Sequence, residues 1–306
     1  MEKDKLISVI IPTYKQTGNL HTTIKSVLSQ TYQNIEIIVV DDNNPETKER
    51  KQTEELMHEY VNNPKVLYVK HEKNKNGSAA RNTGFRESKG EYIAFLDDDD
   101  YWEHNKLEKQ LCYLVEHSEF DAVYCYTFVR GGAKNPNHAC EGNIAIEYLT
   151  NHVSLQTSCV LFTRKAVETI NGFDESFNRH QDYEFLLRFF FAGFEIGCVP
   201  EYLSHKTSAG ANNTPKGEKL NQLKEKFFAT FDKQFNELDK IQPGVKKKII
   251  VANYAKVFES HLAGKYYKLA FQVLLRYFTM SPMEFTKQCY RLFINHVNRA
   301  KARKIA

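Results

Sequence analysis

The sequence lacks the long apolar segments that mark membrane-spanning and secreted proteins. None of the uninterrupted apolar runs in its 306 residues approaches the roughly 20 residues that cross a bilayer. The longest aromatic-rich run, residues 185–194, is interrupted by Arg188. The first residues, Met1–Lys5, contain no apolar segment of a signal peptide. These absences predict a cytoplasmic protein.

Cysteine motifs and phosphate-binding loops are also missing. The six cysteines include no CxxC pair, which excludes the common zinc and redox motifs, and we expect most of them to be buried apolar side chains. The sequence contains neither GxxxxGK[ST] nor GxGxxG. Their absence argues against a nucleotidyl or phosphoryl transferase of the phosphate-loop type.

The net charge of +4 conceals an uneven distribution along the chain. Residues 219–306 contain 18 Lys and Arg against 6 Asp and Glu, a net charge of +12, which leaves −8 for residues 1–218. Such a division suggests two parts with different partners. We therefore predict one domain over residues 1–217 and a basic domain over residues 218–306.

The first part alternates between β-branched segments and amphipathic helical patterns. Buried strands are predicted at Leu6–Ile11, Ile35–Val40, Val66–Val69 and Tyr92–Leu96. Repeated βαβ units with short connections predict an α/β fold with a mainly parallel sheet between two layers of helices. Beyond Lys219 the apolar residues recur at helical spacing, which predicts a helical C-terminal region.

Four consecutive carboxylates, Asp97–Asp100, follow the strand at Tyr92–Leu96. Adjacent negative charges repel by roughly 4 kcal/mol at a protein-like dielectric, so a bound cation would stabilise the run. Carboxylate oxygens suit Mg²⁺ or Mn²⁺. Because ligands bind at the carboxyl edge of open α/β sheets, the run predicts a divalent metal site there.

Other residues that could bind a nucleotide also follow strand ends. Pro12 fixes the turn after the first strand, and Tyr14 there could stack on a base or pack in the core. Asp42 could accept a hydrogen bond from a base or cap the next helix. Arg81 lies one turn inside a helix that opens at Gly77, where it could bind phosphate or form a structural salt bridge.

Together these segments resemble the family 2 glycosyltransferases of GT-A fold, which are inverting enzymes that use nucleotide sugars. The resemblance covers about residues 6–208, and four segments carry it in order and spacing: Ile11–Tyr14, Val40–Asn43, Asn76–Gly84 and Phe95–Trp102. It implies the GT-A fold, a nucleobase contact at Pro12 and Tyr14, usually with uracil, a base-reading role for Asp42, and Arg81 near the nucleotide.

The acid run matches the family's Asp-x-Asp metal motif. The resemblance implies that Asp99 is a direct metal ligand and that Asp97 lies near the ribose or the metal. Asp98 occupies the variable position of the motif, and we place it with the nucleotide-binding residues. His205, in a His-x-x-Ser segment that ends at Ser208, would reach the metal or the diphosphate; the alternative is a surface histidine satisfied by its neighbours.

The catalytic base is expected downstream. Gly172–Glu175, followed by Gln181 and Asp182, resembles the family segment in which the second acid of a Glu-Asp pair is the base. The resemblance therefore implies that Asp182 is the base, and the alternative is an aspartate that caps a helix. Gln181 departs from the family, which usually has Glu at this position.

The implied reaction is a single displacement with inversion. A sugar would move from a nucleotide diphosphate sugar, usually UDP-linked, to a hydroxyl of a glycan or lipid-linked glycan of the cell envelope, with Mn²⁺ or Mg²⁺ as cofactor. The competing interpretations are a nucleotide-sugar-binding module without catalysis and a metal-dependent nucleotidyl or phosphoryl transferase.

The basic region at residues 218–306 has no family motif that we can match. Its clusters at Lys246–Lys248 and Arg299–Lys304 could hold an anionic membrane surface, at the inner face of the cell membrane, or a polyanionic acceptor. The alternative is the solvated surface of a helical packing or homo-oligomerisation domain. With no supporting motif, we expect no nucleic acid partner.

Overall fold

The structure of the chain is a computed structural model. It describes residues 5–15, 18–129, 133–134, 138–207 and 215–305, and it describes no side chains at 133–134 or after 294. The chain divides into two compact units: Met1–Asn135 with Ala139–Ile144 and Leu155–Ala209, and Pro136–His138 with Ala145–Ser154 and Gly210–Ala306.

In the part of the chain that the structure describes, the first unit is built on a sheet of nine strands. They are β1 (Ile7–Thr13), β2 (Ile35–Asp41), β3 (Val66–Lys70), β4 (Tyr92–Phe95), β5 (Tyr101–Trp102), β6 (Ala122–Val129), β7 (Ala133–Lys134), β8 (Val160–Thr163) and β9 (Ile196–His205). The strand order is β3-β2-β1-β4-β8-β6-β9-β5, and β7 pairs with β6. The four strands from β3 to β4 are parallel, as the βαβ repeats predict.

The other half of the sheet is mixed. Strand β8 runs antiparallel to both β4 and β6, and β5 runs antiparallel to β9, while β6 and β9 are parallel. The α/β fold with a C-terminal helical region is thus confirmed, with antiparallel strands added to the parallel half.

Helices of the first unit pack on this sheet. They are α1 (Leu20–Leu28), α2 (Lys48–Met57), α3 (Gly77–Glu87), α4 (Lys106–Glu116), α6 (Arg164–Thr169) and α7 (Gln181–Phe191). The side chain of Asn76 caps α3 by accepting a hydrogen bond from the backbone N–H of Ala79. At Gly84, a Cβ would lie 2.4 Å from Ile10 Cγ2, so α3 reaches its position on the sheet because this residue has no side chain.

The second unit is helical, as predicted from residues beyond Lys219. Its helices are α5 (Ala145–Leu149), α8 (Glu218–Thr230), α9 (Asp232–Ile241), α10 (Val245–Ala263), α11 (Tyr267–Met280) and α12 (Pro282–Ile305). The rings of Tyr254 and Tyr277 stack in its core with centroids 3.9 Å apart. In the described part of the chain, no helix combines the length and the apolarity needed to cross a membrane.

Helix α5 lies within residues 1–217 of the sequence and belongs to this second compact unit. The side chain of Asn253, buried in α10, donates a hydrogen bond to the carbonyl of Leu149 at 2.9 Å. Asn151 donates to the carbonyl of Ala252. These hydrogen bonds between distant segments attach α5 and the residues just after it to α10.

Candidate active site

The acid run forms a compact group at the carboxyl edge of β4. Ligand oxygens of Asp97, Asp99 and Asp100 all lie within 4.8 Å of one another. The hydroxyl of Thr23, on α1, donates to the carbonyls of Asp98 (3.1 Å) and Asp100 (2.7 Å), which fixes the loop that carries these acids.

The chemistry of this group fits a hard divalent cation. All three side chains offer carboxylate oxygens, the donors that Mg²⁺ and Mn²⁺ prefer. Asp100 is buried, and its Oδ2 atom has no partner in hydrogen-bond geometry among the described residues. The predicted metal ligands are Asp99 and His205. The group found in the structure contains Asp99 with Asp97 and Asp100, and it does not include the histidine.

Burial and mutual repulsion favour the protonated form of several of these acids. Burial raises the pKa of Asp98 to about 8, and the charges of Asp99 and Asp97 act in the same direction. Asp98 accepts a hydrogen bond from the backbone N–H of Tyr14 at 3.3 Å, which ties the acid loop to the end of β1. Burial also raises the pKa of Asp100 well above its ordinary value.

Asp97 behaves differently because a cation lies against it. Burial acts to raise the pKa of Asp97, but the charges of Arg81 and Lys206 outweigh burial and hold that pKa below its ordinary value. The Nη2 atom of Arg81 donates to Asp97 Oδ1 at 2.5 Å. The structural salt bridge considered for Arg81 is therefore present, and its contact with a nucleotide stays a prediction.

Arg81 also joins α3 to α7. Its Nη1 atom donates to Gln181 Oε1 at 2.9 Å, while Gln181 Nε2 donates to the carbonyl of Phe177. The guanidinium lies 5.3 Å from the ring centroid of Phe173. Gln181, the departure from the family pattern, thus faces Arg81 and presents it with a neutral acceptor.

Asp182 lies in the first turn of α7 and shares the electrostatic field of the acid group. Burial raises its pKa, Asp97 raises it further, and Arg81 and Lys206 lower it. Its Oδ1 atom accepts a hydrogen bond from the hydroxyl of Thr157 at 3.1 Å. This hydrogen bond leads to another segment and not to the backbone of α7, in contrast to a helix cap.

Lys206 is the residue that our sequence analysis missed. Burial acts to lower its pKa, but the charges of Asp97, Asp100 and Asp182 outweigh burial and raise it. Its Nζ atom donates to Gln156 Oε1 at 3.0 Å. The one signal in the sequence was its position directly after His205, at the end of β9.

His205 itself is held by other groups. Its ring is stacked on Tyr101 and Phe128, with centroids 4.3 and 4.5 Å apart. Its Nε2 atom lies 2.6 Å from Glu103 Oε1. Its predicted role at the metal therefore has no support from this geometry and stays a prediction, and Ser208 lies outside the described residues.

Asp42 has its acceptor sites filled by the protein. One oxygen pairs with the His71 ring (2.7 Å) and the backbone N–H of Lys75, and the other accepts from the Asn74 side chain and the Asn76 backbone N–H. A carboxylate offers about four such sites. A base-reading role for Asp42 stays a prediction. In that role, the donors at residues 74–76 would have to share the carboxylate oxygens of Asp42 with the base.

Tyr14 is placed as a nucleobase contact requires. Its side chain is 43% exposed just beyond β1, so it is not a core tyrosine. The ammonium of Lys15 lies 5.1 Å from the ring centroid. Pro12 is half-buried in β1 opposite Val40. Base contact by Tyr14 and Pro12 stays a prediction.

The fold and these residues define a class of protein. The acid run after β4, the buried Arg81 and Asp182 on α7 lie together at the carboxyl edge of an open α/β sheet. This is the architecture of GT-A glycosyltransferases. Residues 8–173 match the family model described as glycosyl transferase family 2. The chain belongs to this family, and it is accordingly a glycosyltransferase.

Named relatives agree with this assignment. The chain is 29% identical over 215 residues to the amylovoran biosynthesis glycosyltransferase AmsB of Erwinia amylovora, covering 66% of this chain and 70% of AmsB. It is 28% identical over 167 residues to the UDP-Glc:alpha-D-GlcNAc-diphosphoundecaprenol beta-1,3-glucosyltransferase WfaP of Escherichia coli, covering 55% of this chain and 64% of WfaP.

Solved structures show the same fold at low sequence identity. The S. aureus protein TarS 1-349 matches with a TM-score of 0.63 and 18% identity, covering 97% of this chain and 88% of that one. Its complex with UDP-GlcNAc matches with a TM-score of 0.61 and 17% identity, with the same coverage.

Proposed function

We propose that this protein transfers a sugar from a UDP-sugar to a hydroxyl of a glycan acceptor, with inversion and with Asp182 as the base. The observation that carries the proposal is the convergence of Asp97, Arg81 and Asp182. They come from three distant segments of the chain, yet Asp97 and Asp182 both raise the pKa of the Arg81 guanidinium.

Donor binding would use the cations and acids of this edge. Asp97, Asp99 and Asp100 would hold Mn²⁺ or Mg²⁺, which when bound neutralises charge on a diphosphate. Arg81 and Lys206 add two protein cations to the same group. Exposed Tyr14 would stack on the base. The TarS complexes with UDP-GlcNAc and UDP support a UDP-linked donor.

Asp182 would act on the acceptor. It takes the proton of the acceptor hydroxyl as that oxygen forms a bond to the anomeric carbon and the bond from carbon to diphosphate oxygen breaks. The nucleotide leaves with the electron pair. A base is most effective when its pKa is near the working pH, and burial raises the pKa of Asp182 in that direction. One displacement inverts the anomeric centre.

The acceptor is proposed from the relatives. AmsB is named for amylovoran biosynthesis, and WfaP for a sugar linked to diphosphoundecaprenol. We infer that the acceptor here is likewise a growing cell-envelope polysaccharide or its lipid-linked precursor.

The test compares the wild-type chain with Asp182→Asn across a panel of UDP-sugars, with Mn²⁺ and a panel of lipid-linked and free glycan acceptors. Loss of the base should lower kcat by about 10²–10⁴-fold, because general base catalysis contributes that much. UDP affinity, measured by titration calorimetry, should stay within a few-fold. Asp121→Asn is the matched control, since Asp121 precedes β6 at the opposite edge of the sheet.

Full turnover by Asp182→Asn would overturn the assignment of the base. Binding of nucleotide sugars by both proteins without any transfer or hydrolysis would favour the binding-module interpretation. Products that keep the donor's anomeric configuration would exclude inversion.

A further inference from the structure

The last two described helices expose large apolar side chains to solvent. On α11 these are Tyr267 (65% exposed), Phe271 (63%), Leu275 (59%) and Phe278 (41%). On α12 they are Met283 (82%), Tyr290 (66%), Phe293 (62%) and Ile294 (36%). We call these eight residues the outer apolar residues.

The outer apolar residues of α11 form a stripe of their own. Positions 267, 271, 275 and 278 recur at intervals of three and four, so they share one helix face. A different set, Ala270, Val273 and Tyr277, faces the core of the unit. The helix therefore has more apolar surface than the described residues of its unit cover, which marks an interaction site.

On α12, cations lie beside the outer apolar residues. Tyr290 and Ile294 line a cleft of about 640 Å³ together with Lys248, Lys287 and Arg291. Among the described residues, none of these three cations is paired with a carboxylate in a salt bridge. The cleft thus combines unpaired cations with exposed apolar side chains.

Other groups of the cleft do not cancel these cations. Arg291 Nη2 donates to His152 Nδ1 at 2.7 Å, and burial together with the charge of Arg291 lowers the pKa of His152, which favours the neutral ring. Glu147 and Glu284 also line the cleft, and Glu284 accepts a hydrogen bond from the Gln288 amide. Three cations face two carboxylates, which favours an anionic ligand.

We propose that the outer apolar residues of α11 and α12, together with the cations of the cleft, dock on an anionic phospholipid membrane. The outer apolar residues would enter the boundary between headgroups and acyl chains, and Lys248, Lys287 and Arg291 would contact lipid phosphates. Charge favours lipid over a second copy of this chain, because residues 219–306 carry a net +12 and a second copy would bring the same charge. Docking would bring the enzyme to a lipid-linked acceptor, which lies in such a membrane. This purpose rests on the proposed function.

The test is co-sedimentation of the full chain with two kinds of vesicle: phosphatidylcholine alone, and phosphatidylcholine mixed with phosphatidylglycerol. We expect retention on the mixed vesicles that falls as salt is raised. The double variant Lys287→Ala/Arg291→Ala should bind about 25-fold more weakly, at about 5-fold for each lost charge. Phe293→Ser should weaken binding at least several-fold.

Two controls match these variants. Lys219→Ala/Lys226→Ala removes two charges from α8, and Ile241→Ser removes a side chain on α9 that is 82% exposed. Both should bind vesicles like the wild type. Titration of UDP into each variant checks that the chain is folded, and it separates a failure of docking from a failure of the proposed sugar transfer.

No retention of the wild type on mixed vesicles would overturn the proposal, as would variants that bind as tightly as the controls do. If the wild type is a dimer or trimer by light scattering, does not bind vesicles, and becomes monomeric in Phe293→Ser, the face is a contact between copies of the chain and the lipid proposal is wrong.

Discussion

At the scale of single residues, the candidate active site is a balance between acids and two cations, the buried Arg81 and the half-buried Lys206. Arg81 is bonded directly to Asp97, which explains why the pKa of Asp97 is lowered while burial raises the pKa values of Asp98, Asp100 and Asp182. Lys206 acts over a longer range, because its pKa is raised by several acids while its hydrogen bond goes to Gln156. Lys206 therefore offsets the negative charge of the acid group without forming an ion pair with any single carboxylate of the described residues.

Replacing that cation should change metal affinity. We predict that Lys206→Met binds Mn²⁺ about ten-fold more tightly in the absence of nucleotide, because a unit charge several ångströms away contributes about 2–4 kcal/mol at an effective dielectric of 20, part of which screening removes. Titration calorimetry with MnCl₂ measures this. Lys25→Met, on the exposed side of α1, is the control. Unchanged or weaker Mn²⁺ binding in Lys206→Met would contradict the prediction.

At the scale of elements, helix α3 places Arg81 by lying unusually close to the sheet. A Cβ on Gly84 would lie 2.4 Å from Ile10 Cγ2 and 3.2 Å from Val40 Cγ2, which are core side chains of β1 and β2. Neither strand can withdraw, since both are paired on each side within the sheet. Any side chain at this position must push α3 outward, and Arg81 would move with it.

Gly84→Ala should accordingly lower the free energy of unfolding by about 1–3 kcal/mol, the usual cost of overpacking a core. It should also weaken UDP binding. Denaturant unfolding and calorimetry measure the two effects. Gly18→Ala is the control, because no atom lies within 4 Å of a Cβ there. Equal stability of the two variants would show that α3 shifts freely.

At the scale of the whole molecule, the second unit carries a buried lysine in its core. Lys224, on α8, is buried, and its Nζ atom donates to Asn253 Oδ1 at 2.9 Å. Burial lowers the pKa of Lys224 to about 7. The lysine has its ordinary pKa, near 10.5, in the unfolded chain. Between these two values the unfolded chain binds a proton that the folded chain does not.

Stability should therefore rise with pH from about 7 toward 10, by up to about 1.4 kcal/mol per pH unit, and fall as the pH drops toward 7. Lys224→Met removes this group and should flatten that slope. Thermal unfolding of the full chain at pH 7 to 10 checks it, with Lys226→Met, an exposed neighbour on α8, as the control. If stability changes with pH as steeply in Lys224→Met as in the wild type, Lys224 is not the group responsible.

Much of the first unit could be predicted from the sequence because its signals are local. The β-branched runs of β1 and β2, and the acid run directly after β4, lie within a few residues of each other along the chain. Order and spacing of four such segments sufficed to name the fold and the family. The helical pattern beyond Lys219 was equally local.

Only the tertiary structure decided which side chains meet across long separations. It paired β8 antiparallel between β4 and β6, brought Lys206 to the acids, turned the ring nitrogen of His205 to Glu103, and filled the acceptor sites of Asp42. Local sequence determined the secondary structure and the acid run, because backbone preference and charge repulsion act between neighbours. The charge balance of the acid group, the filled acceptor sites of Asp42 and the exposure of the outer apolar residues all depend on packing between distant segments. No short sequence pattern encodes that packing.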